Sequence, residues 1–179
     1  MKAKIVAGLI LFCICFTLGG YIISRAIDEN LTDANAKNIS LVNNGERNLT
    51  LLGNREQVAV AIGNLVANAV SYSPEGSSVV VGAKPGETTV DLSVTDQGIG
   101  IPASELDRIF ERFYRVDPAR HRSTGGTGLG LSIVKHVAAS HGGDVRVWSV
   151  EGQGSTFTLT LPRKSPASSF ETNTVEAQS

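Results

Sequence analysis

The chain has 179 residues, 16 Lys and Arg against 17 Asp and Glu, and a net charge of −1. That length suits one domain with a little chain to spare at each end, and the near-zero charge gives no broad attraction to nucleic acid. The two cysteines, Cys13 and Cys15, lie too close for a sensible disulfide, and no Cys and His spacing matches a metal site.

The chain opens with Lys2 and Lys4, followed by Ile5 to Ile23 without a charged residue. An apolar helix of roughly 20 residues crosses a bilayer, so residues 1–21 read as a membrane anchor. A signal peptide competes, with an unusually long apolar core and no clean cleavage site, as does a truncated or fused reading frame. Lys2 and Lys4 on one side face Arg25 and Lys37 on the other, so charge does not set orientation.

A helix is expected over about Ile22 to Lys37, with Ile23, Ile27, Leu31 and Ala34 inward. Ile39–Val42 and Leu49–Leu52 are short strand candidates that could pair as a hairpin across Asn43-Asn44-Gly45. Asn54 caps a second helix whose buried stripe is Val58, Ile62, Leu65 and Ala69; Asn64 and Asn68 share a face beside it. Ser73-Pro74-Glu75-Gly76 ends that helix. Ser78–Lys84 and Thr89–Asp96 follow as strands, the second alternating Val90, Leu92 and Val94 inward. Gly98 and Gly100 break it. Pro102–Glu111 starts a short helix leading to Phe110 and Phe113, whose surroundings should be pinned near the core. A polar, basic stretch then reaches Gly125-Gly126-Thr127-Gly128-Leu129-Gly130 and a helix over Leu131–Ser140. Asp144–Val150 and Ser155–Leu161 form a final hairpin, and 163–179 is a polar tail expected to be disordered. The order gives an α+β, two-layer sandwich: a mixed sheet with helices on one face, preceded by an apolar N-terminal helix.

Three segments carry chemistry. The glycine run leaves backbone N–H groups uncovered at a helix N-terminus, a phosphate cradle; it lacks the Lys-Ser/Thr of a Walker loop and the preceding strand of a Rossmann fingerprint. Asp96, at a strand end before two glycines, can accept from the exocyclic amine of adenine but is repelled by the carbonyl of guanine. Its bland alternative is a strand-end Asp in a turn. Asn68 offers a hard amide oxygen for Mg²⁺, with Asn64 orienting it or simply solvated. Of the basic residues before the glycines, Arg115 is the phosphate candidate, while Arg120 and Arg122 read as a solvated loop and His121, His136 and His141 as structural or solvated.

Asn64 to Ala69, Asp96 to Pro102, Ile109-Phe110-Glu111-Arg112-Phe113-Tyr114-Arg115 and Gly126 to Leu131 stand in the order of the asparagine, first glycine, phenylalanine and second glycine boxes of sensor histidine kinases. Over residues 22–162 the chain resembles their catalytic and ATP-binding domain, with actinobacterial-type kinases nearest. The resemblance implies a Bergerat-type sandwich binding Mg·ATP under a mobile lid. It carries over Asn68 as Mg²⁺ ligand and Asp96 as adenine acceptor. It also places Asn64, Tyr72, Gly98, Gly100, Ile101, Gly126, Thr127, Gly128, Leu129 and Gly130 around the nucleotide, and makes Asn68 and Arg115 the catalytic pair.

Two departures stand out. Ser71 occupies a position that is often lysine in the family, and Met1 to Tyr21 replaces the helical hairpin that bears the phosphoacceptor histidine. The resemblance therefore implies transfer of the γ-phosphoryl group in trans, to a histidine domain on another chain. It further implies a response regulator downstream and a domain that faces the cytoplasm from the membrane. The alternatives are a non-enzymatic nucleotide-binding module and a stand-alone ATPase. Gyrase-like and chaperone-like relatives of this fold carry a water-activating glutamate where this chain has Asn64, which disfavours the ATPase.

Overall fold

The computed structural model describes residues 15–46, 49–116 and 127–163. Strand β1 (Cys15–Thr17) leads into helix α1 (Leu18–Ala36), followed by β2 (Ser40–Gly45), β3 (Thr50–Leu52), α2 (Arg55–Tyr72), β4 (Ser78–Pro85) and β5 (Thr89–Thr95). After a 3-10 turn at Ala103–Glu105 come α3 (Gly130–Ser140), β6 (Asp144–Val150) and β7 (Gly154–Pro162).

The main sheet runs β2-β4-β5-β7-β6. Only β2 and β4 are parallel, and α2 provides the crossover that a parallel pair requires. The other neighbours are antiparallel. Alternation on β5 buries Val90, Leu92 and Val94, and the matching face of β7 buries Phe157, Leu159 and Leu161. Helices α2 and α3 cover this face through Val58, Ile62, Leu65, Val134 and Val137. The expected two-layer α+β sandwich is the observed one.

Asn54 caps α2 as expected, its Oδ1 accepting the N–H groups of Glu56 (3.0 Å) and Gln57 (3.2 Å). The other end of α2 is closed by a side chain from elsewhere. The Lys37 ammonium donates to the carbonyls of Val70 (2.9 Å) and Ser71 (2.8 Å), satisfying acceptors at the negative end of the helix.

Several expectations give way. The pair β2 and β3 is not a hairpin: β2 edges the main sheet, while β3 pairs antiparallel with β1. Gly45, read as a turn residue, lies within β2, where a Cβ would press on Ile23 and Ala83. The inward stripe of α1 is Ile22, Ala26, Asn30 and Ala34, with Ile23 beside it. Asn30 tolerates burial because its Nδ2 donates to the Ala26 carbonyl at 2.8 Å, and Leu31 is turned outward. Pro102–Glu111 forms a 3-10 turn and further turns instead of a helix.

The expected anchor over residues 1–21 falls mostly outside the described residues. Ile22 and Ile23, just after it, are fully buried in the domain core, and the described fold reaches back to Cys15. Among the described residues no helix is long and apolar enough to cross a membrane. Residues 1–14, the basic stretch 117–126 with Arg120, His121, Arg122 and Gly126, and the tail 164–179 lie outside the described residues.

Candidate functional site

Asp96 follows the last residue of β5, and its backbone N–H donates to the Ser155 carbonyl of β7 at 2.9 Å, so the sheet fixes its position. Its Oδ1 accepts two backbone N–H groups, Gly98 at 2.8 Å and Ser155 at 3.2 Å. Among the described residues none donates to Oδ2, which leaves that oxygen for a donor from the cavity the residue lines. Burial pushes the Asp96 carboxyl above its ordinary value of 3.8, and the two amide donors pull the other way.

The glycines after Asp96 serve close approach. A Cβ on Gly98 would sit 2.8 Å from the Tyr72 carbonyl oxygen. Gly100, at φ +69, leaves no room for a Cβ against the Val150 carbonyl. The loop thus lies flat on the β6–β7 hairpin, where Gly152 donates to the Ile99 carbonyl at 2.7 Å.

A cavity of about 330 Å³ opens beside Asp96. Helix α2 contributes Asn68 and Tyr72, the glycine loop Gly100 and Ile101, and the segment after the 3-10 turn Tyr114 and Arg115. Leu131 lines it as well, so the start of α3 opens on the same space. The N-cap residue of α3 is Leu129, which has no side-chain cap, and its first amides stay available to an anion.

Asn68 and Asn64 differ in their freedom. Among the described residues the Asn68 side chain makes no hydrogen bond, whereas Asn64 Nδ2 is tied to the Val60 carbonyl at 2.9 Å. Arg115 makes no ion pair among the described residues, and its positive charge faces Tyr72, whose hydroxyl burial pushes up and Arg115 pulls down. No cluster of three His, Cys, Asp or Glu side chains is set to hold a metal among the described residues. One neutral amide oxygen suits a Mg²⁺ ion that arrives already ligated by phosphate oxygens and water.

The structure therefore gathers Asn68, Tyr72, Asp96, Gly100, Ile101 and Arg115 at one cavity. Gly98 acts from behind, through its amide. Asn64, Thr127, Gly128, Leu129 and Gly130 do not line the cavity. A Cβ on Gly130 would lie 3.1 Å from Asn64 Oδ1, and Gly128, at φ +71, accepts the Phe113 N–H at 2.9 Å. The second glycine box is thus seated on the other two segments. Phe113 overturns the expectation that this stretch is pinned inward: it is 71% exposed, at φ +63, while Phe110 packs edge-on to Phe157.

A family model described as histidine kinase-, DNA gyrase B-, and HSP90-like ATPase matches residues 53–165. The chain belongs to this family. It is 47% identical over 141 residues to the sensor-like histidine kinase SenX3 of Mycolicibacterium smegmatis, a match covering 79% of this chain and 37% of that protein. The sensor histidine kinase WalK of Bacillus subtilis is 49% identical over 102 residues, 56% of this chain and 17% of WalK. Among solved structures, the mycobacterial sensor histidine kinase MprB superposes with a TM-score of 0.72 at 28% identity, over 86% of this chain and 99% of that one. Full-length ShkA, solved in complex with AMPPNP, gives 0.75 at 27% identity, over 87% of this chain and 32% of that one. The chain thus spans well under half the length of these curated relatives, and it is a histidine kinase-type ATPase domain.

Sequence reading missed part of this domain's cavity: Ile109, Tyr114, Leu131, Ser155 and Phe157 also line it. Tyr114 is held by its hydroxyl on Glu105 and by the Arg108 guanidinium, 4.2 Å from its ring centre. Alternation along β7 could have flagged Ser155, but only the β5–β7 register places it beside Asp96.

Proposed function

We propose that this domain binds Mg·ATP in the cavity and transfers the γ-phosphoryl group to a histidine of a phosphoacceptor domain on another chain. The observation that carries it is Asp96: one carboxylate oxygen saturated by backbone amides, the other left to the cavity. That acceptor suits the exocyclic amine of adenine and has no hydrogen to offer the carbonyl of guanine. The AMPPNP bound by the structural neighbour ShkA supports a nucleotide in this fold.

Asn68 would hold Mg²⁺ together with phosphate oxygens, and the ion, when bound, neutralises charge developing on the transferred group. Arg115 and the open amides of α3 face the same charge. In the transfer, the bond from the γ-phosphorus to the bridging oxygen breaks as a bond to an imidazole nitrogen forms, and ADP leaves. Such chemistry needs positioning and charge neutralisation rather than a base acting on water. Asn64, where hydrolytic relatives carry a glutamate, is bonded within its own helix, which favours transfer over a stand-alone ATPase. A response regulator would take the phosphoryl group next. The domain works on the cytoplasmic side, where ATP is.

The test is to mix the full chain with separately supplied phosphoacceptor domains and γ-labelled ATP. Acid-labile label on the acceptor histidine is expected. Saturable AMPPNP binding with no labelled histidine under any pairing would reduce the reading to a nucleotide-binding module.

A further inference from the structure

We infer that Ser149, on β6 outside the cavity, is a positioning residue for the purine base: its one hydroxyl clamps the glycine loop and orients Ser155 beside Asp96. The inference rests on the nucleotide-binding reading above. Ser149 Oγ accepts the N–H of Ile101 at 2.8 Å, donates to the Gly154 carbonyl at 3.0 Å and lies 2.9 Å from Ser155 Oγ. A hydroxyl has one proton and two lone pairs. With the proton on the Gly154 carbonyl and one lone pair on Ile101, the remaining contact must be Ser155 donating to Ser149. All three positions are then filled.

Two consequences follow for the cavity. Ile101 and Gly100 form one of its walls, and among the described residues Ser149 supplies the side-chain bond from the β6–β7 hairpin that holds this wall. Ser155, 5% exposed and lining the cavity, has its proton directed away, so its oxygen stands as an acceptor in the cavity that Asp96 also lines. Two acceptors in one cavity match an amino group, which carries two hydrogens. A carbonyl at the same place would face both. Releasing the Ser155 proton would let that hydroxyl turn and donate to a carbonyl instead.

The experiment measures Kd for AMPPNP and for GMPPNP on the full chain and on Ser149→Ala and Ser149→Thr. Ser149→Ala is expected to weaken AMPPNP about tenfold while GMPPNP changes little, so selectivity shrinks. Ser149→Thr, which keeps the hydroxyl, restores most of both. Equal losses for the two nucleotides would show a merely structural serine and overturn the inference, as would no loss at all. Should Ser149→Ala fail to fold, amide exchange in the unaltered chain decides: a slow Ile101 amide supports the clamp and a fast one overturns it. Failure of the unaltered chain to bind AMPPNP would be a separate result, removing the nucleotide reading and this inference with it.

Discussion

His141, at the end of α3, accepts the backbone N–H of Asn54, the N-cap of α2, through Nε2 at 3.0 Å. Its Nδ1 lies 2.8 Å from the Val137 carbonyl, an acceptor, so Nδ1 carries the proton and the ring is neutral. One imidazole therefore ties together the two helices that flank the cavity. His141→Ala leaves the exposed Asn54 N–H to water and should cost about 0.5–1.5 kcal/mol. Thermal unfolding reads this as a fall of roughly 2–4 °C per kcal/mol in a domain of this size; an unchanged midpoint would remove the tie.

Asp96 should give nucleotide binding an acid limb. Its carboxyl titrates above 3.8, because burial outweighs two amide donors. A raised folded value means its contribution to folding is fully present below the ordinary value and is lost as pH rises through the folded one. Adenine recognition runs the opposite way, since the ionised acceptor is the binding form. AMPPNP affinity should fall on acidification before an ordinary Asp would titrate, and Asp96→Asn should lack that limb. Asp96→Ala should weaken AMPPNP by about tenfold or more; calorimetric titration across pH that finds identical profiles would count against the assignment.

The glycine loop allows one sharp backbone test. Gly100 sits at φ +69 against the Val150 carbonyl, so Gly100→Ala meets both conformational strain and a clash. Destabilisation of about 2 kcal/mol or more is expected by chemical denaturation. Gly76, also at positive φ but with nothing nearby, should cost less when changed to Ala. Equal effects would show that the hairpin contact does not matter.

Asn68 and Asn64 should separate in metal dependence. Asn68→Ala is expected to remove most of the Mg²⁺-dependent gain in AMPPNP affinity, on the order of tenfold. Asn64→Ala should keep that gain, because Asn64 does not line the cavity. Titrations with and without Mg²⁺ distinguish them, and a similar loss in both variants would reassign the ligand.

Much of this site was legible because its signals are local. Asp96, Gly98 and Gly100 lie within five residues, and Asn64 and Asn68 lie one helical turn apart, so spacing alone sets their relation. What stayed hidden depends on long-range pairing. Ser149 and Ser155 acquire meaning only from the β6–β7 and β5–β7 registers. The parallel partnership of β2 with β4 could not be read from six residues carrying an Asn-Asn-Gly turn signal. Phe113 was misplaced because an aromatic usually packs inward, whereas here a positive φ and its bond to Gly128 turn it out. In α1 a satisfied Asn30 took the buried slot that hydrophobicity would have given Leu31.

The family match begins at residue 53, yet helix α1 lies entirely before it. Ile22, Ile23 and Ala26 from that helix are fully sequestered, and Lys37 just after it closes the end of α2 beside the cavity. A recombinant version trimmed to the matched span would lay bare one flank of α2 to water and invite self-association. The smallest autonomous folding unit is therefore larger than the motif-bearing region, and the greasy leader is partly its inner lining.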